Sequence, residues 1–139
     1  MSDVQKMKHM FEATTKAIQV RVEPEFLEEQ SAPDHHHFFW SYYVEIENKG
    51  EAPVQLRSRH WKITDGHGAT REVIGEGVIG LQPVIQPGEV FSYTSGAPLS
   101  TPSGFMNGTY KMECEDGDHF LIEIPTFSLD SPYDEHLVN

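Results

Sequence analysis

The chain has 139 residues, 37% hydrophobic and 23% charged, which fits one globular domain with a core of its own. A formal net charge of −12 repels polyanions, so nucleic acid and anionic membrane surfaces are not expected as partners, whereas a small anion held by a local basic patch stays open. With a single cysteine, Cys114, no apolar run near the ~20 residues that span a bilayer, and no apolar leader in the first residues, the expected home is the reducing cytoplasm.

From the N-terminus, residues 4–12 could form a helical turn or two with Val4, Met7 and Phe11 on one face, too short to be stable alone. Residues 1–12 are therefore expected to be flexible or briefly helical. Period-two patterns follow. Residues 17–26, AIQVRVEPEF, put Ile18, Val20 and Val22 on one face. Residues 38–49, FFWSYYVEIENK, do so with Trp40, Tyr42, Val44 and Ile46. Residues 53–64, PVQLRSRHWKIT, begin in one phase with Val54 and Leu56 and change to Trp61 and Ile63, the mark of a β-bulge. Asp65-Gly66-His67-Gly68 turns the chain into a short strand at 70–75. Pro87-Gly88 suits a type II turn before a strand at 89–95. Tyr110, Met112 and Cys114 open a last hairpin, with Asp116-Gly117 as a two-residue turn and Phe120, Ile122 and Ile124 returning.

About seven short strands with turns every 8–12 residues predict an all-β antiparallel sandwich of the immunoglobulin or fibronectin-III kind. Tyr110, two residues before a buried strand position, has the spacing of a tyrosine corner. The domain is expected over residues 13–132, with a flexible tail over 133–139. Cys114 reads as a small apolar strand residue, since Lys111 is the one basic side chain close to it in sequence.

Three constellations could carry chemistry. Gly75, Gly77 and Gly80 form a G-x-G-x-x-G, the spacing of a pyrophosphate-wrapping loop. A dinucleotide fold needs a helix next, and Pro83 and Pro87 forbid one; no acidic residue closes a second strand about 20 residues on, and no Gly-Lys-Ser/Thr makes a P-loop. A glycine loop whose amides could form an anion nest remains. Upstream, residues 57–71 gather Arg57, Arg59, Lys62 and Arg71 against the single Asp65, a patch that could focus a small anion or serve as a solvated strand face. Asp34-His35-His36-His37 could offer at most His35 and His37 to one metal, since neighbours in an extended chain diverge, and a third ligand is lacking. No G-x-S-x-G or H-E-x-x-H is present, and Asp116 and Asp118 flank a turn, so no catalytic residue is assigned.

The segments VRVEPEFLEEQS (20–31), NKGEAPVQLRSRHWKITDGHG (48–68), GEGVIGLQPVIQPGEVFSYTSGAPLSTPSGFMNG (75–108) and FSLDSP (127–132) closely resemble the bacterial ApaG (CorD) proteins, over about residues 13–132. The resemblance implies a fibronectin-III/immunoglobulin-like sandwich with no established enzymatic activity and no cofactor. It also implies a binding role, because the same domain type is attached to F-box and polymerase-interacting proteins. Gly75, Gly77 and Gly80 match the family's glycine motif, proposed as a pyrophosphate-type site, and Arg59, His60 and Trp61 match its other signature. Ala97 departs from the family, in which many members have cysteine there.

The expected function is a non-catalytic cytoplasmic binding module. Arg57, Arg59, His60 and Arg71, with the loop at 75–83, would meet a partner protein or a small phosphorylated ligand through charge-assisted hydrogen bonds. The alternatives are a cobalt or magnesium homeostasis factor and a nucleotide or phosphoester hydrolase. Monomer and homodimer are both open, since a sandwich exposes edge strands.

Overall fold

A computed structural model describes residues 10–134 of the chain. Nine strands form two antiparallel sheets: β1 (Phe11–Thr15), β2 (Ile18–Phe26), β3 (Phe38–Asn48), β4 (Val54–Asp65), β5 (Thr70–Glu76), β6 (Val84–Ile85), β7 (Val90–Leu99), β8 (Ser103–Cys114) and β9 (His119–Asp130). One sheet runs β1-β2-β3-β7. The other runs β5-β4-β8-β9, with β6 also paired to β4. The expected sandwich is present.

Alternation builds it. Val20, Val22, Val44 and Ile46 of one sheet and Leu56, Tyr110, Met112 and Ile122 of the other have no solvent exposure, while intervening residues face water. Trp61 is the centre of the core, with the rings of Tyr42, Tyr110 and Phe127 at centroid distances of 5.0, 6.3 and 6.0 Å. Such tilted and edge-on ring pairs add to what area burial alone supplies. Among the described residues no helix is long and apolar enough to cross a membrane.

Several expectations need correcting. Among the described residues the strands number nine, because β1 and the two-residue β6 add to the seven expected. The turn Lys16-Ala17 joins β1 to β2 with φ of 48° and 67°, a hairpin turn without the glycine or asparagine that normally announces one. Most of the expected helical stretch at 4–12 lies outside the described residues, but Phe11 and Glu12 are already strand. At the other end, Tyr133 packs its ring near Phe26 and Phe38, and Asp134 is buried.

The last hairpin turns through three residues, not two. Gly117 N–H donates to Cys114 O, Cys114 N–H donates to Asp118 O, and Gly117 takes φ 90°, the type I turn plus bulge that a glycine in third place favours. Tyr110 is no tyrosine corner either: its hydroxyl pairs with that of Tyr93 in the opposite sheet. The phase change in β4 is a true bulge, with its register against β8 shifting between Leu56 and Ser58.

The two sides of the sandwich differ. On one, β1 lies beside β9, with Phe11 near Phe127 and Glu123 N–H donating to Thr15 Oγ1 at 3.1 Å. On the other, β5 and β7 are the outermost strands of their sheets, tied by Arg71 Nη2 to Pro98 O at 2.6 Å.

Candidate functional site

The glycine motif lies on this second side. Both β5 and β6 pair with β4 along the same edge, β5 through Ser58–Thr64 and β6 through Val54–Gln55. The chain from Thr70 to Ile85 is thus one edge strand interrupted by the loop 77–83.

Each glycine answers a different local demand. Gly75 is paired to Arg59, whose guanidinium occupies the space of the missing side chain: a Cβ there would stand 2.9 Å from Nη1. Gly77 is buried at φ 65°, and a Cβ would meet Leu81 O at 2.3 Å. Val78 and Leu81 then exchange N–H···O bonds of 2.9 and 2.8 Å around Ile79 (φ 43°) and Gly80 (φ 78°). Positive φ at both central residues is the type I′ pattern, natural for glycine but strained for β-branched Ile79.

The basic residues are separated rather than gathered. The bulge puts Arg57 and Arg59 on different sides of the sheet. Arg57 reaches outward, donating from Nε to Glu113 at 2.9 Å and from Nη1 to Gln82 Oε1 at 2.8 Å. The Arg57 bond, with that of His119 Nε2 at 3.0 Å, holds the Glu113 carboxyl below the usual range. Arg59, level with buried Tyr110, turns toward the core side and donates from Nη1 to the carbonyls of Glu76 and Gly77 at 3.1 and 2.8 Å. His60 faces outward with Glu72 on its Nε2 at 2.5 Å. Arg71 pairs with Ile63, four positions further along β4, and spans to the other sheet through Pro98. At about 3.4 Å per residue that is ~14 Å from the Arg59–Gly75 pair.

The loop's backbone is similarly engaged. Gly77 N–H donates to Arg57 O at 2.8 Å, and the amides of Val78 and Leu81 bond each other's carbonyls. Gln82 fastens the loop to β4: its Nε2 donates to Arg57 O at 3.2 Å, and its own carbonyl accepts from Gln55 Nε2 at 3.0 Å. Gln82 and Glu113 are partners that charge clustering along the sequence did not reveal.

Beside its exposed charges, this edge leaves a set of large apolar side chains in water. Ile74 is 70% exposed, Ile79 58%, Val84 53% and Leu81 50%, all within the interrupted strand. Residue-by-residue alternation could have found Ile74, which pairs with outward-facing His60, and Val84, which precedes buried Ile85 in β6; Ile79 and Leu81 lie in the loop and follow no period.

The histidine run is not extended. Pro33–His35 is a 3₁₀ turn, His36 is left-handed at φ 55°, and Ala32 N–H donates to His37 O. Among the described residues no three His, Cys, Asp or Glu side chains are placed to share a metal ion. Cys114, half-buried, is a free thiol at the end of β8.

The ApaG domain profile matches residues 28–114, a span that includes β3 through β8 and the whole glycine loop. A Protein ApaG of Bradyrhizobium diazoefficiens is 55% identical over 130 residues, 94% of this chain and all of that protein. One of Afipia carboxidovorans is 58% identical over 123 residues, 88% of this chain and 95% of that protein. The crystal structure of a putative ApaA protein from Bordetella pertussis superposes with a TM-score of 0.81 at 46% identity, covering 84% of this chain and 95% of that one. The profile and the full-length relatives agree, the solved structure shares the overall fold, and the chain belongs to the ApaG family.

Proposed function

We propose that the protein is a non-catalytic binding module of the cytoplasm whose partner is another protein, met along the interrupted edge strand from Thr70 to Ile85. One observation carries this reading: the three arginines suited to a small anion are each bonded within the chain, and large apolar side chains stand exposed beside them. Arg57 serves Glu113 and Gln82, Arg59 serves the loop carbonyls, and Arg71 serves Pro98. Ile74, Ile79, Leu81 and Val84 face water beside them. An exposed apolar group of this kind, framed by polar residues on an unpaired edge, is the usual make-up of a protein contact. The strain at Ile79 supports the same reading, since an isoleucine held at positive φ on the surface contributes nothing to the core.

Amide-resolved titration separates protein from phosphate. Peptides selected from a random display library against the immobilised protein should shift amides within residues 70–85, and inorganic pyrophosphate at millimolar concentration should not. Saturable pyrophosphate shifts over 75–83, with no peptide footprint on this edge, would replace the protein partner by a small phosphorylated ligand.

A further inference from the structure

The edge strand also carries a pattern that describes its partner. In β5 the pairs Ser58–Glu76, His60–Ile74 and Lys62–Glu72 alternate with Arg59–Gly75 and Trp61–Val73. Trp61 is buried, so the first set faces away from the core. Along its outer face β5 therefore presents Glu72, Ile74 and Glu76 in order: acid, apolar, acid. Ile74 is 70% exposed, and the Glu72 side chain keeps half its surface although it meets His60.

Two of the devices that blunt an edge are missing from β5, whose charged residues are Arg71, Glu72 and Glu76. Thr70–Glu76 contains no proline and no lysine, and among the described residues its side away from β4 carries no strand. Natural edges are normally protected by such devices. Arg71 is turned to Pro98 and Arg59 takes the carbonyl of Glu76, so these two side chains engage the ends of β5.

Resting on the binding-module reading, we propose that β5 accepts an extended segment of a partner protein as an added antiparallel strand. That segment has the pattern basic–x–apolar–x–basic: its basic side chains stand opposite Glu72 and Glu76, and its apolar one opposite Ile74. Backbone hydrogen bonds supply the attachment, and directly opposed side chains supply selectivity. The net charge of −12 draws a basic segment in and repels a second copy. Self-pairing about Ile74 would moreover set Glu72 against Glu76 twice, and like charges directly opposite destabilise a ladder.

The test uses the intact protein and three blocked synthetic peptides. The first is Gly-Thr-Lys-Thr-Val-Thr-Lys-Thr-Gly, the second has Glu in place of both Lys, and the third is the basic peptide N-methylated at alternate amides. The basic peptide should give saturable amide shifts centred on residues 70–76, weakening as salt rises. The acidic and N-methylated peptides should bind at least tenfold more weakly. In the variant Glu72→Lys with Glu76→Lys the order of the two charged peptides should reverse. Glu76→Lys alone, which leaves the His60–Glu72 contact in place, should weaken the basic peptide severalfold in a fold that is unaltered. Equal binding of the acidic and basic peptides, undiminished binding of the N-methylated one, no saturable shift, or concentration-dependent pairing of the free protein through β5 would each overturn the inference. Selected peptides that still footprint on residues 78–84 would then leave the binding-module reading standing; no footprint anywhere over 70–85 would end both.

Discussion

The guanidinium of Arg59 lies where the side chain of residue 75 would be, so the first glycine of the motif makes room for an arginine. From that position Arg59 holds the carbonyls of Glu76 and Gly77 and fixes the exit of β5 into the loop. Arg59→Ala should cost about 2 kcal/mol in urea unfolding, the scale of lost hydrogen bonds from a charged donor. Arg59→Lys should recover only part, because an ammonium cannot reproduce the planar fork. Amide exchange in Arg59→Ala should accelerate first over residues 75–82; uniform acceleration would contradict a clamp.

The three glycines should rank by stability. Gly77→Ala sets a Cβ against a backbone carbonyl that cannot step aside, and should cost about 3 kcal/mol or more. Gly75→Ala meets only the far end of a side chain and should cost about 1–2 kcal/mol as Arg59 shifts. Gly80→Ala has open space around it at φ 78°, so only the left-handed backbone matters, about 1 kcal/mol. Urea midpoints check the order; three equal losses would mean that the structural roles described for these glycines are mistaken.

Alkaline pH should find the Tyr93–Tyr110 pair. Burial raises both hydroxyls above the ordinary tyrosine value, with the proximity of the two rings adding to the effect on Tyr110. The unfolded chain therefore ionises first, so stability is complete below about pH 10 and is lost as pH rises from there. Tyr93→Phe, which removes one phenol of the pair, should flatten that fall. An unchanged slope of unfolding free energy between pH 9 and 11 would show that the pair does not titrate in this way.

How much of this was legible differs by element. The core faces of β2, β3 and β4 could be read from alternation because each strand is buried on one side, and even the bulge at Arg57 announced itself as a change of phase. The hairpin at Lys16-Ala17 could not, because its left-handed residues are neither glycine nor asparagine. The basic cluster is spread out for a geometric reason. Arg57, Arg59 and Arg71 are near in sequence, but the bulge turns the first two apart and the β4–β5 hairpin carries the third along the strand. The glycine motif was visible and its dinucleotide meaning excluded by Pro83 and Pro87, but its actual use depends on Arg59 and Leu81, which only pairing brings to it.

Ile79 should be removable at a gain in stability. Ile79→Asn would create an Asn-Gly pair at the two positive-φ positions, the preferred type I′ sequence, and relieve a β-branched residue of left-handed strain. Thermal unfolding should rise by a few degrees, corresponding to about 1 kcal/mol. A lower melting temperature would show that Ile79 is held by packing rather than strained.

The central claim is that the apolar edge, not the arginines, receives the partner. The most direct measurement is the affinity of a library-selected peptide for the parent protein and for the combined variant Ile74→Ser, Ile79→Asn and Leu81→Ser. These three side chains are at least half exposed, so the fold should keep its urea midpoint or gain slightly. Affinity should fall at least tenfold, about 1.4 kcal/mol. An unchanged dissociation constant in a folded variant would contradict the account and put the binding surface elsewhere on the molecule.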